Sequence, residues 1–129
     1  MLWYEYLDQT RYLHMLYDEI PILLNVSITN IYISHSGNRI RIVFVSPKHA
    51  DHPPEKWKNS NVTSIELSFS AISSLAMESD GNDYHGDINI TKNEKGLLEI
   101  SIKGTLGLTA IAETGNVQRV EGYVMSFPI

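Results

Sequence analysis

With 129 residues and 43% apolar side chains, the chain has material for one domain with a sizeable core. Ten basic residues against fifteen acidic ones leave a net charge of −5, which argues against gripping a phosphate backbone, a task for clustered Lys and Arg. Cysteine is absent, so disulfides and thiolate chemistry are excluded and a reducing cytosol suits the chain; no apolar run reaches membrane-spanning length.

The opening run Met1-Leu-Trp-Tyr-Glu-Tyr-Leu-Asp8 has no positive segment and no small-residue cleavage site, so it does not read as a secretory signal. It leads into a helix predicted over about 3–18. Leu13, Leu16, Tyr17 and Ile20 recur at helical spacing, and Trp3, Tyr6 and Leu7 extend the apolar side. Pro21 disfavours a helical residue before it and sets the stop. That aromatic side reads as packing on a sheet, with a partner-binding surface as the sharper alternative.

Beyond Pro21 the pattern turns to strands. Residues 23–34 are rich in Ile, Val, Thr and Tyr, and 39–45 place Ile40, Ile42 and Phe44 on one face, with Arg39 and Arg41 pointing to solvent. Ser36-Gly37-Asn38 between them is a tight-turn signal, so the two runs form a hairpin. Next comes Asp51-His52-Pro53-Pro54-Glu55-Lys56-Trp57-Lys58, a stiff loop, since a Pro pair removes two backbone donors and fixes φ. It delivers Trp57 to the mouth of the next strand, 61–70, where Ile65, Leu67 and Phe69 alternate with Ser64, Glu66 and Ser68. Trp57, held by Pro54, is read as a structural anchor plugging one end of the core in preference to a partner contact.

Further strands are predicted at 74–78, 87–91, 97–103, 106–112 and 117–125, divided by turn signals at Asp80-Gly81-Asn82, Asn93 to Gly96, Gly104 and Thr114-Gly115-Asn116. Short strands at this spacing, after one N-terminal helix, give a mainly β chain: an antiparallel β-sandwich or partly open barrel, with residues 1–129 forming a single domain.

Constellations that carry chemistry are weak. His49-Ala-Asp51-His52 brings two imidazoles and a carboxylate close in sequence, but a Pro-rich loop does not fix them on one face and no third strong ligand follows, so no metal is expected. Tyr84-His85-Gly86-Asp87 holds a His–carboxylate pair, yet no serine sits in a nucleophile-elbow context. Glu78, Asp80 and Asp83 lack the spacing of a calcium loop, and no phosphate-cradling glycine motif is present. Asn-x-Ser/Thr triplets at Asn25, Asn61 and Asn89 read as coincidence. Neither an enzyme nor a cofactor is expected.

Charge is distributed unevenly. Arg39, Arg41, Lys48, Lys56 and Lys58 crowd one segment, whereas no Lys or Arg occurs from Asn59 through Thr91, a stretch holding Glu66, Glu78, Asp80, Asp83 and Asp87.

Ile20-Pro21 before the first strands, Pro54-x-x-Trp57, the strand led by Asn61, and Gly122-Tyr123 together resemble the immunity protein 50 family of bacterial polymorphic toxin systems. The resemblance implies a cytoplasmic antidote that binds a cognate toxin domain and neutralises it stoichiometrically, without turnover. Net acidity suits a basic toxin such as a nuclease, because opposite fields steer encounter. The expected toxin-binding residues are Glu78, Asp80, Asp83 and Asp87, with Tyr84 as an aromatic anchor among them; turn residues should set them at a loop tip. No nucleic-acid or membrane partner is expected. Two other roles fit the same composition: a carbohydrate- or peptide-binding module stacking on Trp3, Tyr4 and Trp57, and a homo-oligomeric interaction subunit.

Overall fold

The computed structural model describes residues 2–125, so positions 1 and 126–129 of the expected 1–129 unit fall outside the described residues. A short helix, α1 (Arg11–Leu16), precedes six strands: β1 (Val26–Ser34), β2 (Arg39–Val45), β3 (Val62–Ser79), β4 (His85–Lys92), β5 (Leu98–Gly104) and β6 (Leu106–Tyr123). All neighbours are antiparallel, in the order β1-β2-β3-β6-β5-β4. The sheet curls until β1 meets β4 over only two residue pairs, Val26 with Gly86 and Ser27 with His85. The result is a mainly β architecture of one antiparallel sheet with one short helix, a barrel closed along a short seam and open beyond it.

The alternation read in β2 is what positions the core. Ile40, Ile42 and Phe44 are fully buried, while Arg39 and Arg41 stay on the outer face. There the Arg39 Nε donates to Ser68 Oγ at 2.9 Å, and Arg41 lies 3.4 Å from the buried carboxylate of Glu66 and 4.4 Å from the centre of the Tyr32 ring. Facing β2 across the ladder, Ile65, Leu67 and Phe69 of β3 complete this layer of the core. Each such buried side chain stabilises the fold by roughly 1.5–3 kcal/mol relative to exposure.

Three expectations need correction. The helix is confined to Arg11–Leu16 and does not run over 3–18. The chain before it is drawn off to the sheet: Asp8 bridges Asn116, its N–H donating to Gly115 O at 3.0 Å while its carbonyl accepts from Val117 N at 3.0 Å. Gln9 then takes φ 60°, a left-handed conformation that no helix tolerates in sequence. Trp3 is anchored separately, its indole N–H donating to Pro21 O at 2.9 Å.

The strands expected at 61–70 and 74–78 are one strand, β3, and those expected at 106–112 and 117–125 are likewise one, β6. In β3 the apparent break is a bulge: Ala71 takes φ 57° and the register to β6 slips between Ile72 and Ser74. In β6, Thr114-Gly115-Asn116 looks like a turn but stays paired with Ser68, Phe69 and Ser70. Gly115 is there for space, because a β-carbon would stand 2.7 Å from Phe69 Cδ1 and 2.9 Å from Leu7 Cδ2. The two long strands thus form a ribbon shared by both walls of the barrel. The first half of β3 and the second half of β6 lie with β1 and β2; their other halves lie with β4 and β5.

Candidate functional site

Of the acidic residues singled out in the sequence, Asp80 and Asp83 lie on the connection between β3 and β4, whereas Glu78 is in β3 and Asp87 in β4. Glu78 is near the exposed end of β3, opposite Gly107 of β6, and Asp80 and Asp83 are exposed on the loop that follows. This loop is tied to the β5–β6 turn through Thr105. Asp80 N donates to Thr105 O at 2.7 Å, the Thr105 hydroxyl donates to Asp83 O at 3.2 Å, and His85 N donates back to that hydroxyl at 2.9 Å. Asp83 can accept such a position because it adopts φ 60°, which Asp tolerates better than most residues. Gly104 permits the close approach, since a β-carbon there would lie within the backbone of His85 and Gly86. The outcome is a latched loop carrying the exposed Asp80 and Asp83, with Glu78 exposed near the end of the adjoining strand.

Tyr84 and Asp87 are placed differently. Tyr84 is half-buried against the core, and its carbonyl accepts from Ile28 N at 2.9 Å, extending the seam beyond the two ladder pairs. Asp87 caps the neighbouring segment, its Oδ1 accepting from Asn25 N at 2.7 Å, and it stands opposite Lys103 in the β4–β5 ladder. Glu66, counted with the acidic stretch in sequence, is buried beside Arg41 and adds nothing to the exposed field. The surface group is therefore Glu78, Asp80 and Asp83, with Tyr84 at its base. Thr105 and Gly104, which shape it, carry no sequence signal beyond that of a turn.

Trp57 sits in a single 3-10 turn that Pro54 opens, its N–H donating to Pro54 O at 2.9 Å. The indole is packed edge-on to Tyr12 and tilted against His49, with ring centres 6.3 and 6.4 Å away. Both tryptophans are buried, Trp3 at 5% and Trp57 at 6% exposure, which removes them as stacking platforms for a sugar or peptide.

The histidine-rich loop is absorbed into scaffold contacts. His49 Nδ1 lies 2.9 Å from Thr63 Oγ1, Asp51 binds Lys48 Nζ at 2.6 Å and the Asp18 N–H at 3.0 Å, and His52 Nε2 donates to Asp18 Oδ1 at 2.6 Å. The hydrogen bond to Asp18, reinforced by its charge, raises the His52 pKa. The hydrogen bond from Lys48, then the Asp18 backbone N–H, lower that of Asp51. Burial raises the Tyr17 hydroxyl, whose O–H is shared between Ser46 Oγ at 2.9 Å and Lys48 O at 2.6 Å. Among the described residues no three His, Asp or Glu side chains converge as metal ligands. His85 turns its Nδ1 toward Asp83, 3.1 Å from its carbonyl and 3.7 Å from its carboxylate Oδ1, so its carboxylate neighbour is Asp83 and not the Asp87 suggested by the sequence.

Comparison with known proteins follows the same lines. A family model described as Immunity protein 50 matches residues 9–123. The crystal structure of an uncharacterized protein from Neisseria gonorrhoeae is similar in fold, with a TM-score of 0.52 and 19% identity over 76% of this chain and 94% of that one. No curated protein matches. The family match takes in α1 and all six strands, and the chain belongs to the immunity protein 50 family.

Proposed function

We propose that this protein is a cytoplasmic, non-catalytic antidote of a polymorphic toxin system, which binds one cognate toxin domain and neutralises it stoichiometrically. The observation that carries the reading is the family match over residues 9–123. The exposed carboxylates Glu78, Asp80 and Asp83 support a basic partner, such as a nuclease domain, because a fixed acidic field accelerates encounter with an opposite charge. Tyr84, half-buried at the base of that group, supplies a rigid aromatic edge for the same contact.

Co-expression tests this directly. The C-terminal domain encoded by the neighbouring upstream frame is induced with and without this chain, and growth is followed together with co-purification. Rescue with a stable complex is the expected result. Killing that is equal in both cases, with this chain expressed in soluble form, would overturn the assignment.

A further inference from the structure

Strand β3 leaves a long stretch of backbone unpaired. Up to Ser70 it is flanked by β2 and β6; from Ile72 to Ser79 it pairs with β6 alone. Among the described residues, the other edge of that stretch makes one backbone bond, Ile72 N to Asn38 O at 3.4 Å. Alternate residues of an edge strand turn their N–H and C=O groups to solvent, a template for another strand.

Beyond Ile72, which packs on the core, the large apolar side chains of this stretch are exposed. Leu75 stands opposite Ala110 and Met77 opposite Leu108, so both share a face with buried core residues, yet they are 36% and 49% exposed. Two usual protections of an edge are missing, since residues 72–79 contain no Pro and no Lys and Glu78 is the single charge; the bulge lies only at the start, between Ile72 and Ser74. Neither β3 nor residues 106–118 of β6 carry Lys or Arg; Lys92 and Lys95 approach only the start of the stretch, beside Ser73, while Asp80 and Asp83 stand at its other end.

We propose that the toxin docks on this edge by adding one of its own strands to β3. The added strand is two-faced, with apolar side chains against Leu75 and Met77 and Lys or Arg toward Glu78 and Asp80. Backbone pairing would supply affinity and the alternating side chains specificity. A second copy of this chain is the poorer occupant, because its matching edge brings no positive charge to offset the carboxylates. The inference rests on the antidote reading above and adds to it the place and manner of contact.

Amide hydrogen exchange on the full chain, alone and with the purified C-terminal domain of the neighbouring upstream frame, separates the outcomes. In the complex, amides within 73–79 should slow by about tenfold or more, as newly bonded strand amides do. Met77→Lys should raise the Kd at least about tenfold with thermal stability retained, and Glu121→Lys, on the far half of β6, should leave it unchanged. Glu78→Lys is the second variant should Met77→Lys fold poorly. A complex whose protection falls elsewhere overturns the edge assignment and leaves the antidote reading standing. Protection of 73–79 in the isolated chain, with a dimer mass, overturns it in favour of self-pairing. Absence of any complex, together with no rescue of growth, sinks both.

Discussion

Gly122 of β6 lies flat against the indole of Trp57: a β-carbon on it would stand 2.6 Å from Cδ2 and 2.7 Å from Cε3 of the ring. The main obstacle is a buried, rigid aromatic that cannot swing away cheaply, with the Ser60 hydroxyl also 2.7 Å away. Gly122→Ala should therefore destabilise the protein by about 1–3 kcal/mol, the usual range for overpacking. Trp57→Ala should cost about 3–5 kcal/mol through the cavity it leaves. In the double variant the combined cost should be less than the sum, because the larger obstacle to the new methyl has gone and only the Ser60 hydroxyl remains. Urea denaturation of the four proteins measures this; strict additivity would mean the two residues do not restrain each other.

Arg41 and Glu66 make a different kind of pair. The Glu66 side chain is 11% exposed and Arg41 lies 3.4 Å away, itself stacked over Tyr32. Arg41→Ala should cost about 1–3 kcal/mol, since it strands a desolvated carboxylate. Replacing both at once, Arg41→Met with Glu66→Leu, should recover most of that loss, because no charge is then left alone. Chemical denaturation of the single and double variants is the check.

The His52–Asp18 bond gives stability a definite sign with pH. The folded pKa of His52 is raised, first by the hydrogen bond from its Nε2 to Asp18 and then by the carboxylate charge. A raised folded value contributes stability that is fully present below the unfolded pKa of about 6.5 and is lost as pH rises through the folded one. Asp18→Asn should bring the His52 titration, followed by imidazole NMR, back down toward its ordinary value. The stability gap between this variant and the natural protein should shrink as pH is raised across that transition.

Reversing the exposed carboxylates tests the acidic surface. Glu78→Lys, Asp80→Lys and Asp83→Lys together should slow association with the toxin domain by about tenfold or more at low ionic strength. The difference should narrow in high salt, because exposed charges are screened there. Stopped-flow association at two salt concentrations reads both. An unchanged association rate at low salt would remove these residues from the encounter surface.

The β1–β2 hairpin was legible in Ser36-Gly37-Asn38 and in the alternation of Ile40, Ile42 and Phe44, because a half-buried strand repeats with period two. Long β3 was not. Its bulge at Ala71 shifts the phase of the alternation, and a shifted phase looks like an ended strand. Gly115 misled for a related reason: in sequence a glycine beside Asn signals a turn, whereas here it makes room for Phe69 and Leu7, contacts nearly fifty and more than a hundred residues away. Trp3, Tyr6 and Leu7 do have helical spacing, but a sheet edge offering backbone partners to Asp8 prevailed over that periodicity. For the site, the turn residues put Asp80 and Asp83 on a loop, but Glu78 and Asp87, expected at the same tip, lie in β3 and β4. Sequence charge could not tell that Glu66 faces Arg41 or that Asp87 caps Asn25, since both depend on partners distant in sequence.

The ribbon of β3 and β6 gives the molecule a single mechanical spine. Each wall of the barrel borrows half of both strands, so neither wall can melt while the other keeps its edge intact. Far-ultraviolet circular dichroism and tryptophan fluorescence, reporting on backbone and on Trp3 and Trp57, should accordingly follow one coincident unfolding transition. The spine also joins positions 62–79 to 106–123, contacts far apart along the chain, so refolding should be slow for a protein of this size. A protein of this build would be an all-or-none object: the whole sheet in place, or none of it.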